Sequence, residues 1–181
     1  DYALKQFFEM AKKQPWFKNT VFVIVADHCA SSSGKTELPM DKYRIPALIY
    51  SPGFIQPQKY DKLVSQIDVM PTVLGLLNFD YQSKFFGQDV LKSDYVPRAF
   101  IATYQDLGYI KNDVLTIISP VKKVKQFDLI QQKNEVLGAN YSILYEEKPK
   151  AKIDEKLKKE TIAIYQTASH ILKTKNYQKI K

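Results

Sequence analysis

The sequence predicts an α/β fold, in which part of a sheet with flanking helices is followed by a small antiparallel sheet and a C-terminal helix. Three observations predict it. Residues 21–25 form a continuous apolar run, VFVIV, which is typical of a strand buried on both faces in a parallel sheet covered by helices. Residues 100–129 hold short apolar runs separated by turn residues, as in an antiparallel sheet. Residues 153–173 carry an apolar stripe at helical spacing.

The elements of the first half follow from spacing and punctuation. Residues 2–13 place apolar side chains on one helical face, and Pro15 ends that helix. Residues 45–50, IPALIY, form a second short strand in which Pro46 indicates an edge or a strand start. A second helix is predicted over residues 69–77, with Asp68 as its N-cap.

The second half of the chain changes character. The runs at 100–104, 107–110, 114–118 and 124–127 predict a small antiparallel sheet. The last helix places its apolar stripe on Leu157, Thr161, Ile164, Ala168 and Ile171. His170 lies off that stripe and is expected to be exposed. We expect two domains, with residues 1–95 in the α/β part and 96–181 in a smaller α+β subdomain packed on it.

Length, charge and cysteine content exclude several classes of protein and site. The chain has 181 residues and a net charge of +8, without an apolar run of about 18 residues that would span a membrane. Its one cysteine, Cys29, excludes an internal disulfide and a Cys-based zinc site. Lysines are concentrated toward the end, which is typical of a solvated helix face. Because no nucleic-acid-binding motif accompanies them, nucleic acid is not an expected partner.

Asp27 and His28 are the most informative residues, because they end a strand that is otherwise wholly apolar. Ligands of open α/β sheets bind outside the carboxyl ends of the strands, and a carboxylate with an imidazole suits a divalent metal ion. Adjacent strand residues point to opposite faces, so both side chains reach one ion only if the chain turns here. The dipeptide alone also fits a loop-capping aspartate beside a hydrogen-bonded surface histidine.

Four blocks put this pair in context: NTVFVIVADH at 19–28, Gly-Lys at 34–35, RIPALIYSPG at 44–53 and SQIDVMPTVLGLL at 65–77. Their order and spacing resemble the C-terminal half of the catalytic domain of the alkaline phosphatase and sulfatase superfamily. The resemblance covers about residues 1–92 and implies the C-terminal part of an alkaline-phosphatase-like sheet. Cys-Ala after Ala-Asp-His, and the many Tyr and Lys residues, resemble the lipoteichoic acid synthase-like, phosphoglycerol transferase branch.

The resemblance implies roles for individual residues. Asp27 and His28 would be ligands of a divalent metal ion (Mn²⁺, Zn²⁺, Mg²⁺ or Ca²⁺), bound fully only in the intact parent enzyme. Lys35 would contact the anionic group of the substrate, although an ordinary solvated loop lysine fits equally well. Arg44 would fix the start of its strand by hydrogen bonding. Cys29 is not expected to be the nucleophile, since the nucleophile of the family lies upstream. The block of Asp68, Pro71 and Thr72 would build a helix start.

The resemblance further implies a larger parent enzyme, of which this chain alone would be inactive. The parent would transfer phosphoglycerol- or phosphoethanolamine-type groups to lipids or glycans. A sulfatase acting on sulfated glycans is the alternative, and a non-catalytic binding module with the same fold is a third. The expected partner is a phospholipid or an anionic glycan. By the same analogy, upstream helices would anchor the parent at the periplasmic or extracytoplasmic face of a bacterial inner membrane.

Overall fold

The computed structural model describes residues 1–29, 38, 40–84, 86–133 and 143–178. Its helices are α1 (Tyr2–Ala11), α2 (Val69–Leu76) and α3 (Glu155–Lys173). Its strands are β1 (Phe22–Val25), β2 (Ala47–Tyr50), β3 (Arg98–Ala102), β4 (Leu107–Lys111), β5 (Val114–Ser119), β6 (Lys123–Lys133) and β7 (Ile143–Pro149). The predicted helices are therefore confirmed within two residues at either end, and the predicted antiparallel sheet is confirmed with one more strand than expected.

The described residues fall into two compact units. The first comprises those of Asp1–Ala30 with Arg44–Asp61, and the second comprises those of Ser31–Tyr43 with Lys62–Lys181. The division expected at residue 95 concerns subdomains of the parent fold and stays a prediction.

In the first unit, α1 packs on a two-stranded antiparallel sheet. Phe22 at the start of β1 pairs with Tyr50 at the end of β2, and the Phe8 and Phe22 rings meet edge to face at 5.1 Å. Phe17 and Ala11 are buried in the same cluster. Edge-to-face aromatic pairs add stabilisation beyond the area that they bury. This aromatic cluster therefore fixes the strand that leads to Asp27.

The expectation that β1 is buried on both faces of a parallel sheet is wrong for this chain. Within the described residues its partner is β2, which runs antiparallel. Val23 is 42% exposed and Leu48 is 53% exposed, whereas Phe22 is buried. The reason is that the aromatic cluster covers one face of the pair, and a strand alternates its side chains between faces.

In the second unit, β3 to β7 form an antiparallel meander in sequence order. Asn112 and Asp113 join β4 to β5 with positive φ at both residues, the geometry of a two-residue hairpin turn. One face of the sheet carries the apolar core, made by Leu38, Ala99, Ile101, Ile110, Leu115, Ile117 and Leu129.

Helix α3 belongs to the same unit and hydrogen-bonds to three strands of the meander. Tyr165 donates its hydroxyl to the Gly108 carbonyl at 2.7 Å, and burial raises the pKa of Tyr165 to about 12. Gln126 of β6 accepts a hydrogen bond from the Asp154 backbone N–H at 2.6 Å. Leu157 and Thr161 of the predicted stripe are buried, and His170 is exposed as expected.

A charged cluster fastens the middle of α3 to β4. Glu160 accepts hydrogen bonds from Lys111 Nζ at 2.6 Å and from the Tyr109 hydroxyl at 2.9 Å. Burial by itself would raise the pKa of Glu160, but the bonds from Lys111 and Tyr109 outweigh it and hold that pKa below its ordinary value. Burial, reinforced by the bond to Glu160, raises the pKa of Tyr109. The cluster is thus a neutral phenol and an ion pair at pH 7.

Candidate metal centre

Asp27 and His28 lie in a bend directly after β1. The strand pairing continues one step beyond the sheet, because the Ala26 N–H donates to the Pro46 carbonyl at 3.2 Å. The chain then bends, and both side chains open to solvent, with His28 68% and Asp27 87% exposed. The turn that the dipeptide requires for a shared site is therefore present.

The two side chains converge on one point. The Asp27 Oδ1 atom accepts a hydrogen bond from the His28 backbone N–H at 2.9 Å, which orients the carboxylate. Its other oxygen, Oδ2, lies 3.4 Å from His28 Nε2. Two ligands of a tetrahedral zinc site, each about 2.0–2.1 Å from the ion, are themselves about 3.4 Å apart. The separation of these two donor atoms fits a shared metal ion.

The second ring nitrogen of His28 lies where a metal-ligating histidine donates its other N–H. His28 Nδ1 is 3.0 Å from the Cys29 carbonyl oxygen, and because a carbonyl only accepts, a hydrogen bond between them requires the proton on Nδ1. In the neutral imidazole this leaves the Nε2 lone pair free on the side of Asp27. Metal-ligating histidines characteristically donate their other N–H to a carbonyl or a carboxylate. The donor set therefore fits a divalent cation.

Cys29 has a structural contact in this bend. Its Sγ donates to the Arg44 carbonyl oxygen at 2.8 Å, so the thiol ties the bend after β1 to the segment that enters β2. The Arg44 main chain takes part in this contact, and a role for its side chain at the strand start stays a prediction. That Cys29 is not the nucleophile stays a prediction.

The described residues do not add a third ligand to Asp27 and His28. Across the described ranges, no group of three or more His, Cys, Asp or Glu side chains is arranged to hold a metal ion. Lys35 falls within residues 30–37, outside the described residues, so its contact with a substrate anion stays a prediction.

Asp68 is the N-cap residue of α2, as predicted, but its carboxylate serves a different purpose. Its carboxylate makes no cap hydrogen bond to α2 and is fully buried. It forms a bidentate ion pair with Arg98 at 2.8 and 2.9 Å. It also accepts hydrogen bonds from the Ser65 and Gln88 N–H groups. Thr72 does support the start of α2, because its hydroxyl donates to the Asp68 carbonyl at 2.7 Å.

This pair is a structural device that sequence reasoning missed. Arg98 is 30 residues from Asp68, so no local spacing announces it. A buried arginine with two parallel bonds to one carboxylate gives strong and directional pairing. The pair joins the start of α2 to the start of β3, and both groups are buried away from solvent.

Comparisons with known proteins agree with this architecture. Residues 1–79 match the sulfatase family model. The crystal structure of an alkaline phosphatase superfamily protein from Vibrio parahaemolyticus superposes with a TM-score of 0.82 at 30% identity, covering 97% of this chain and 40% of that one. The chain thus resembles sulfatase-type domains over residues 1–79, and its fold is similar to that of an alkaline phosphatase superfamily member.

Curated relatives point to two branches of the superfamily. The chain is 31% identical to the lipoteichoic acid synthase-like protein YvgJ of Bacillus subtilis, over 62% of this chain and 21% of that protein. It is 40% identical to an endo-4-O-sulfatase of Bacteroides thetaiotaomicron, over 62% of this chain and 24% of that protein. Phosphoglycerol transferase I of Citrobacter koseri is 25% identical over 74% of this chain and 17% of that protein. The predicted resemblance is confirmed, and the chain spans about a fifth of the length of these relatives.

Among the described residues, no helix combines the length and the apolar character needed to cross a bilayer.

Proposed function

We propose that this chain supplies Asp27 and His28 as ligands of a divalent metal ion in a larger enzyme that transfers phosphoglycerol- or phosphoethanolamine-type groups to lipids or glycans. The observation that carries the proposal is the 3.4 Å separation of Asp27 Oδ2 and His28 Nε2, at the end of a strand within the residues that match the sulfatase family model. Similarity to a lipoteichoic acid synthase-like protein and to a phosphoglycerol transferase supports the reaction class.

The chemistry of the site follows from its charges. A divalent ion such as Mn²⁺, Zn²⁺, Mg²⁺ or Ca²⁺, when bound, activates a hydroxyl nucleophile and neutralises charge on the transferring group. Asp27 contributes one negative charge to that ion, and neutral His28 contributes none. The Cys29 carbonyl holds the imidazole ring in the ligating orientation. Lys35 is proposed to contact the substrate anion as a point charge.

The proposal assigns the nucleophile and the remaining acidic ligands to parts of the enzyme outside this sequence. Two protein ligands are too few for a tight catalytic metal site. We therefore expect the isolated chain to be inactive and to bind Zn²⁺ or Mn²⁺ weakly or not at all in titration calorimetry. Tight one-to-one binding by the isolated chain would contradict this division of the site.

A sulfatase acting on sulfated glycans is the second candidate, favoured by the 40% identity to an endo-4-O-sulfatase. Sulfuryl and phosphoryl transfer place similar demands on a metal site, so Asp27 and His28 serve either reaction. For the phosphotransferase, the proposed partner is a phospholipid or an anionic glycan. The proposed location is the periplasmic or extracytoplasmic face of a bacterial inner membrane.

Assays of the full-length enzyme test both candidates. Asp27→Ala and His28→Ala variants are each expected to lose activity by about a hundredfold or more, since each removes a ligand of the ion. Asp61→Ala is the matched control, because Asp61 is an exposed carboxylate of the same unit that pairs with Lys59 at 2.9 Å. Glycerophosphate transfer from phosphatidylglycerol supports the first candidate, and sulfate release from a sulfated glycan supports the second. Full activity of Asp27→Ala would refute the ligand assignment.

A further inference from the structure

Two hairpins of the five-stranded sheet end in fully exposed apolar side chains. Tyr104, between β3 and β4, is 106% exposed, and Val121, between β5 and β6, is 95% exposed. In an antiparallel meander these two connections lie at the same end of the sheet. The hairpins are two strand spacings apart, which puts the tips about 10 Å from each other. We call this end of the sheet, with Tyr104, Val121, Lys122 and Lys123, the hairpin edge.

The Tyr104 tip is held in place by its own turn. The Thr103 N–H donates to the Asp106 carbonyl at 2.9 Å. The Thr103 hydroxyl oxygen in turn accepts from the N–H groups of Gln105 and Asp106 at 3.3 and 3.1 Å. Side-chain bonds of this type rigidify short turns. The tyrosine ring is thus presented to solvent by an ordered loop, although nothing in the described fold packs on it.

The Val121 tip is conformationally unfavourable. Val121 has φ 58° and ψ 31°, and Lys122 that follows has φ 60°. The left-handed region is disfavoured for β-branched residues above all. With 95% of its surface exposed, the valine side chain gains no packing in return. Positive φ at both residues is hairpin-turn geometry, but the presence of an exposed valine there is not explained by packing within the described fold.

Charge at the hairpin edge is predominantly positive. Lys122 and Lys123 are exposed beside Val121, and Lys42 lies next to Tyr43, whose hydroxyl donates to the Ala102 carbonyl at the same end. The described acid there is Asp106. It faces Tyr43, since burial and then the negative charge of Asp106 raise the pKa of Tyr43. Asp106 lies in the turn that carries Tyr104, whereas Lys122 and Lys123 lie at the Val121 tip.

We propose that the hairpin edge is a docking surface for an anionic phospholipid bilayer. Two apolar tips about 10 Å apart, one of them followed by two lysines, suit shallow insertion into the interface between headgroups and acyl chains. Tyrosine is favoured there because its ring is apolar and its hydroxyl stays hydrated. Lysines beside the tips are attracted to anionic headgroups. This surface belongs to the second unit, and the inference does not require the metal-ligand assignment.

Sedimentation of the 181-residue chain with lipid vesicles tests the inference. The chain is expected to bind vesicles of phosphatidylglycerol and phosphatidylcholine in equal parts, more weakly in high salt, and not to bind pure phosphatidylcholine. The double variant Tyr104→Ser, Val121→Gly is expected to bind at least about tenfold more weakly. Lys122→Gln is expected to bind about fivefold more weakly.

Matched variants separate this role from a structural one. Glycine adopts positive φ readily, so Val121→Gly should melt at no lower temperature than the unaltered chain while binding vesicles less. Tyr2→Ser, at a tyrosine that is 77% exposed on α1, and Lys148→Gln, in β7, should leave binding unchanged. The inference is overturned if the chain ignores anionic vesicles, if the double variant binds as well as the unaltered chain, or if the control variants lose binding equally.

Discussion

Asp68 and Arg98 show how single residues hold the second unit together. Both side chains are buried, with 0% and 5% of their surfaces exposed, and they are joined by two hydrogen bonds. Arg98 also donates to the Phe86 carbonyl at 2.7 Å, and the Tyr95 hydroxyl reaches Asp68 Oδ2 at 3.2 Å. A buried charge left without its partner is costly. The Asp68 carboxylate therefore has a structural role, and the free-energy cost of burying its charge is offset by Arg98.

Removing the arginine tests this interpretation. Arg98→Ala leaves the Asp68 carboxylate buried and uncompensated, and it is expected to lower the free energy of unfolding by about 3–5 kcal/mol. Urea denaturation followed by circular dichroism measures the change. Lys148→Ala, which removes an exposed pair with Glu146 at 3.6 Å in the same unit, should cost less than about 0.5 kcal/mol. A loss below about 1 kcal/mol for Arg98→Ala would show that the pair is dispensable.

Glu160 is expected to make the free energy of unfolding depend on pH in the acidic range. Its pKa in the folded chain is below the ordinary value of 4.5, so its contribution is fully present above that value. The contribution is lost as pH falls through the lowered pKa. Glu160→Gln is expected to cost about 1 kcal/mol at pH 7, and this difference should shrink as pH falls from 7 to below 4.5. Unfolding free energies of both proteins across this range provide the measurement, and a difference that does not depend on pH would contradict the lowered pKa.

At the scale of elements, α3 depends on its first turn. Asp154 is its N-cap, and the side chain accepts a hydrogen bond from the Leu157 N–H at 2.9 Å. The same residue is docked on β6, because the Gln126 amide donates to the Asp154 carbonyl at 3.2 Å. Asp154 thus both caps α3 and contacts β6, so the start of the helix is held against the sheet.

The cap carries a separate prediction. Asp154→Ala removes the side-chain bond but keeps the backbone contacts with Gln126, so it is expected to cost about 1 kcal/mol of stability. Glu155→Ala is the control, since Glu155 makes only an exposed contact with Lys158 at 3.2 Å and should cost less than about 0.5 kcal/mol. Thermal melting monitored at 222 nm measures both variants. Equal effects of the two substitutions would mean that the cap has no special role.

Periodicity and turn residues located most elements, because local patterns encode them. The stripe on α3 and the turn at Asn112–Asp113 are examples. Strand β7 was missed, because the sequence ILYEEKP places charged residues side by side instead of alternating with apolar ones. The exposed face of β1 was also missed, because an apolar run does not specify which other elements pack on each face of the strand. The Asp68–Arg98 pair was missed, because tertiary contacts over 30 residues leave no local signal.

At the scale of the whole molecule, the candidate metal ligands Asp27 and His28 lie within the residues that match the sulfatase family model. The Asp-His pair was identified from the sequence, and the structure adds the bend that brings Oδ2 and Nε2 to 3.4 Å and the carbonyl that holds the ring. Within the described ranges these two residues do not form part of a larger ligand cluster. A complete metal site at Asp27 and His28 would therefore require ligands from outside the described residues.

An anomalous difference map from crystals of the full-length enzyme grown with Mn²⁺ or Zn²⁺ tests this claim most directly. The account predicts a peak about 2.0–2.4 Å from a carboxylate oxygen of Asp27 and from Nε2 of His28, with further ligands from outside this chain. A metal ion bound elsewhere in an active enzyme, with Asp27 and His28 facing only solvent, would contradict it.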